Sequence, residues 1–138
     1  MKDMRDLKAQ ESMFMGWGGL TDMLSDFTEH YGLSEEDIKN IWDMAPDKAH
    51  VIFAIYSIGN YEGEAFVLFI RDHKLYEVNG GHCSCFGLEG QWTPEATTLE
   101  AIEHRLVHGN LGESYMGENY RMELADLLGV TLPAQEAD

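Results

Sequence analysis

Residues 50–79 read HVIFAIYSIGNYEGEAFVLFIRDHKLYEVN, three apolar runs separated by two short polar breaks. The first run, His50 to Ile58, is rich in β-branched and aromatic residues. It shows little polar alternation, the pattern of a strand covered on both faces or nearly so. Gly59-Asn60-Tyr61-Glu62-Gly63 supplies a hairpin loop, and Ala65 to Arg71 is a second strand, again almost wholly apolar. Asp72-His73 makes a tight turn before a third strand, Leu75 to Asn79. There Leu75 and Glu77 share one face, and Tyr76 and Val78 take the other. The stretch predicts a three-stranded antiparallel meander.

Helices flank it. Leu20, Met23, Leu24, Phe27 and Tyr31 form one stripe at helical spacing, with Gly32 just past its end. Ser34 can cap a second helix with Ile38, Ile41, Trp42 and Ala45 on its buried face, and Pro46 ends it. Upstream, residues 1–15 are weakly patterned and rich in Met, giving a short helix or a flexible lead, and Gly16-Trp17-Gly18-Gly19 breaks any helix. Downstream, Pro94 starts a turn into a helix that Thr97 and Glu100 can open as a capping box, with Leu99, Ile102 and Leu106 as its stripe. Tyr120, Leu124, Leu127 and Leu128 mark a last helix, closed by Gly129, and the tail from Pro133 frays. The expectation is a single α+β domain over residues 1–138, a three-stranded meander packed against several helices.

The size suits one domain with one real core, and 44% hydrophobic residues exclude wholesale disorder. No run approaches the 18 or so apolar residues of a membrane span. The N-terminal MKDMRDLKAQES lacks the apolar core of a secretory signal, so a cytoplasmic location is the expectation. Twenty-five Asp and Glu stand against nine Lys and Arg, a net charge of −16. Such a chain is repelled by phosphate backbones and anionic lipid, which argues against direct nucleic-acid or membrane binding. It is attracted to basic surfaces, including the nucleic-acid-binding sites of other proteins. Solubility alone is the plainer reading of the same acids.

The candidate chemistry lies in the loop after the third strand. His82, Cys83 and Cys85 offer soft ligands for zinc, and His104 with His108, four residues apart, share one helix face. Together they could make a Cys2His2 set, although one residue between ligand cysteines is tight and the spacing is not that of a zinc finger. A reactive thiol is a further alternative, but glycines follow the cysteines where an activating helix N-terminus is usual. Two reduced thiols packed as small apolar groups are the simplest case, so no cofactor is expected and zinc is the alternative. Glu89, Gln91, Trp92 and Glu95 form a polar-aromatic cluster after the loop. Its Trp92 plugs the core edge or anchors an interface. Glu35, Glu36 and Asp37 complement a helix dipole or make an acidic binding patch. No phosphate-binding loop, nucleophile elbow or dinucleotide fingerprint is present.

Asn79, Gly80, Gly81, His82, Cys83, Cys85, Gly87, Leu88, Glu89, Trp92, Pro94 and Glu95 carry a pattern that resembles a family of small bacteriophage and prophage proteins. The likeness covers about residues 50–106, is specific in the loop, and departs at Asp72-His73, where an aspartate-glycine turn is expected. It implies an origin rather than a mechanism. Charge and implied origin together suggest a non-enzymatic accessory protein of the bacterial cytoplasm that binds a basic host protein, such as a restriction or CRISPR-type defence component. A small zinc protein and a thiol-dependent enzyme are the alternatives.

Overall fold

The meander forms where the apolar runs place it, but it is the middle of a larger sheet. The computed structural model describes residues 1–28, 32–59, 62–82, 87–113 and 119–133. Among these, the strands are β1 (Met13–Met15), β2 (Ala49–Gly59), β3 (Glu62–Arg71), β4 (Lys74–His82) and β5 (Glu95–Thr97). They lie side by side in chain order, with β1 parallel to β2 and the other neighbours antiparallel. The fold is α+β, with five strands in a mixed sheet rather than three in an antiparallel one. Five helices accompany it: α1 (Met4–Ala9), α2 (Leu20–Asp26), α3 (Glu35–Ile41), α4 (Leu99–Val107) and α5 (Arg121–Leu128).

The parallel pair explains the position of α2 and α3. Parallel neighbours cannot be joined by a hairpin, so the chain must cross over between them. Residues 16–48 are that crossover, and they lay α2 and α3 on one face of the sheet. The buried residues divide accordingly. Ala65, Val67 and Phe69 of β3 meet Met23, Leu24, Phe27 and Ile38, while Phe66, Leu68 and Ile70 meet Leu7, Ile102, Leu106, Leu124 and Leu128. Alternate residues of one strand thus feed two cores, which is why its sequence shows no polar face.

The two edge strands correct the reading of both flanks. Residues 1–15 hold a helix capped reciprocally by Asp3 and Asp6 and anchored by the fully buried Leu7, followed by β1. Pro94 leads into β5, not into a helix. Because Thr97 is paired with Leu75 in the sheet, the helix starts one residue later than its sequence suggests. Its cap is Thr98, whose Oγ1 accepts from Ala101 N at 3.1 Å. Of the first apolar stripe, Phe27 sits at the C-cap of α2, and Tyr31 lies outside the described residues.

Asp72 and His73 join β3 to β4 with φ of 51° and 64°, the left-handed region that a type I′ turn requires at both positions. Histidine bears that conformation less easily than glycine. His73→Gly is therefore expected to stabilise the protein by about 1 kcal/mol, read as a higher urea midpoint at unchanged slope.

Candidate functional site

β4 ends in two glycines before His82, and the first is tightly packed. A Cβ on Gly80 would lie 3.1 Å from Leu88 Cδ2 and 3.5 Å from Phe27 Cε1, so the returning chain closes directly on the strand. Gln91 then holds the base of the loop. Its Oε1 accepts from Gly81 N at 2.8 Å, and its Nε2 donates to Gly81 O at 2.7 Å and to Gly87 O at 2.8 Å. β5 stops opposite Glu77, short of Gly81. The carboxamide of Gln91 does for Gly81 what the peptide of a neighbouring strand would have done. Gln91→Ala leaves these groups to water and is expected to cost about 1–3 kcal/mol. Faster amide exchange at Gly81 would check it, and unchanged exchange would show that the clamp is not needed.

Residues 87–92 then pack on the α2/α3 face. Trp92, 9% exposed, stacks on Phe69 at 5.6 Å and meets Phe27 edge-on at 5.1 Å, with Trp42 at 6.1 Å. The structure thus places Trp92 in the core and leaves Glu89 and Glu95 exposed beside it. Nearby, Trp17 Nε1 donates to Asp26 Oδ2 at 2.6 Å. Burial, followed by the Asp26 and Glu89 carboxylates, raises the pKa of Tyr56.

The other face carries a polar cluster for which the sequence held only a hint. Glu77 is the buried charged residue among the described ones, its side chain 7% exposed. Its Oε2 accepts from Arg105 Nη1 at 2.6 Å and its Oε1 from Asn79 Nδ2 at 2.9 Å. Both oxygens are engaged, so the carboxylate ties α4 to β4 rather than standing free for proton transfer. The signal was a lone acid on the strand face it shares with Leu75. Beside it, Tyr120 stacks on Phe53 and Phe66 at 5.6 and 5.7 Å. Burial, and after it the Glu64 carboxylate, pushes its hydroxyl well above the ordinary value of 10.0.

That shift has a sign. The folded pKa lies above the unfolded one, so the neutral phenol's contribution is whole below about pH 10 and is lost as pH climbs toward the folded value. Tyr120→Phe is expected to leave neutral-pH stability within about 1 kcal/mol, since no hydrogen bond to the hydroxyl is present among the described residues. It should also move alkaline unfolding to higher pH. A pH titration followed by circular dichroism reads both, and an unmoved alkaline midpoint would clear Tyr120 of the role.

The proposed metal set is not assembled by what the structure describes. Cys83, Cys85 and the side chain of His82 lie outside the described residues. His104 on α4 and His108 at its C-cap are both exposed, with ring centroids 5.1 Å apart. α4 covers the face opposite to residues 87–92, so it does not close over the returning half of the loop. Among the described residues, no three His, Cys, Asp or Glu side chains are grouped to hold a metal ion. Nor is any helix among them long and apolar enough to cross a membrane.

Among the described acids of the α2/α3 layer, Asp22, Glu35, Glu36, Asp37 and Asp47 are exposed, and Asp26 and Asp43 are half-buried. Glu35, Glu36 and Asp37 form the exposed first turn of α3. Glu35 Oε1 accepts from Lys39 Nζ and from Thr21 Oγ1, both at 2.9 Å, and these bonds hold its pKa below the usual value. Glu35, Glu36 and Asp47 border one groove together with Lys39 and Lys48.

Fold and site together define a small acidic α+β protein whose sheet ends in a glutamine-clamped loop. Comparison with protein-family models, curated proteins and solved structures returns no match.

Proposed function

We propose that this chain is a binding protein rather than an enzyme, and that its acidic α2/α3 layer occupies a basic, nucleic-acid-binding surface of another protein. The phage-like loop pattern makes a bacterial host protein, such as a restriction or CRISPR-type defence component, the natural target. One observation carries the reading. Residues 21–48 contain eight Asp and Glu but only Lys39 and Lys48 as fixed cations. Both lysines are already bound internally, Lys39 to Glu35 at 2.9 Å and Lys48 to Asp43 at 3.1 Å. Arg71 of β3 adds one more cation, 4.0 Å from Asp43, and seven described carboxylates still outnumber these three cations. Complementary charge on a partner steers association and selects among partners.

The test is capture from a bacterial extract on immobilised protein at low salt. The reading expects basic nucleic-acid-binding proteins that elute as salt rises toward about 1 M, where the screening length shrinks to about 3 Å. Added DNA should compete them off. Partners held through high salt, or held equally well with DNA present, would contradict it.

A further inference from the structure

We infer that His104 and His108 form a two-imidazole chelate for a divalent first-row transition-metal ion on the outer face of α4. This site lies on the sheet face opposite to the acidic layer and needs no cysteine ligand. The two residues are one helical turn apart, and the turn between them is intact, with His108 N donating to His104 O at 2.8 Å. The buried stripe Leu99, Ile102 and Leu106 fixes the helix against the sheet, so both imidazoles face solvent. Their rings are 5.1 Å apart between centroids and inclined at 47°. From that separation, modest side-chain rotation brings one nitrogen of each to about 2.0–2.1 Å from a shared ion.

The surroundings favour a cation. The guanidinium between the two histidines in sequence, that of Arg105, is turned away and neutralised on Glu77 at 2.6 Å. Glu100 lies one turn before His104 on the same exposed side, and the chain as a whole carries −16. With no third protein ligand grouped there among the described residues, water fills the other positions. Imidazole ligation with open positions suits copper(II), nickel(II) and zinc(II), with copper(II) held most tightly.

The experiment titrates copper(II) into the Cys83→Ser/Cys85→Ser variant, following heat and the electron paramagnetic resonance of the ion. One equivalent with nitrogen hyperfine structure is expected in the serine variant. For the full chain, whose two thiols reduce copper(II), nickel(II) replaces it and the heat of binding is read, again with one equivalent expected. His104→Ala and His108→Ala should each weaken binding at least about tenfold while leaving the metal-free melting temperature in place, because both side chains are exposed. Metal should raise the melting temperature of the parent and not of the histidine variants. Unchanged affinity in the histidine variants would overturn the inference, as would loss of the site in the serine variant.

Discussion

Trp92→Ala is expected to remove about 3–5 kcal/mol of stability, as large-to-small changes at buried aromatic positions do. The side chain lies between three other rings and fills the edge of the core under α2 and α3. Its loss leaves a cavity that Phe27, Phe69 and Trp42 cannot all collapse into, since Phe69 is held in the sheet by its partners on β2 and β4. Trp92→Phe should recover part of the loss by keeping a stacking ring. Chemical denaturation measures both. The experiment also separates the two roles an isolated tryptophan can have in a sequence. An interface anchor would give a variant that melts like the parent but no longer binds, and that outcome would mean the ring is not packed as described.

Gly16→Ala is expected to cost about 3 kcal/mol or more. At φ 84° the residue sits in the left-handed region, and a Cβ there would run into the carbonyl oxygen of Tyr56 in β2. Two penalties therefore add: conformational strain of about 1–2 kcal/mol, and the displacement of β-sheet backbone by an overpacked methyl. Backbone cannot swing aside as a flexible side chain can, so β1 must partly leave β2. A thermal melt reads the loss, and amide exchange in residues 53–55 of β2, which face β1, locates it. A melt within about 0.5 kcal/mol of the parent would show that β1 is not pinned at this point.

The central sheet was legible because its signal is long and two-sided. Nine to eleven residues with apolar groups on alternate faces leave little choice but a strand between two layers. The edges were not legible. Met13-Phe14-Met15 and Glu95-Ala96-Thr97 are three residues each, too short for a period, and they become strands because a formed sheet offers them an edge to pair with. That tertiary pairing also moved the helix cap from Thr97 to Thr98. Helix stripes such as Leu99, Ile102 and Leu106 survived because burial on one side follows directly from a period of 3.6.

The candidate site divides in the same way. The glycines and the tryptophan announced a tight return onto the sheet, but the clamp by Gln91 joins groups ten residues apart through a side-chain amide, for which no local pattern exists. Glu77 did have a signal, a charge on a strand face shared with leucine, and its meaning became apparent only with Arg105 opposite it. The cysteines, the most suggestive residues in the sequence, lie outside the described residues. The acidic layer instead follows from simple counting once α2 and α3 are seen to share a face.

We propose that this layer docks on a basic surface. The most direct test is the salt dependence of the dissociation constant for a captured partner, measured with the parent chain and with Glu36→Lys/Asp37→Lys/Asp47→Lys. These three side chains are exposed and make no hydrogen bond or ion pair among the described residues. The reversals should cost the fold only about 0.5 kcal/mol each, where lysine opposes the start of α3. The account expects parent affinity to fall steeply with salt and the folded variant to lose binding at least about a hundredfold. Affinity indifferent to salt, or equal in the two proteins, would contradict it.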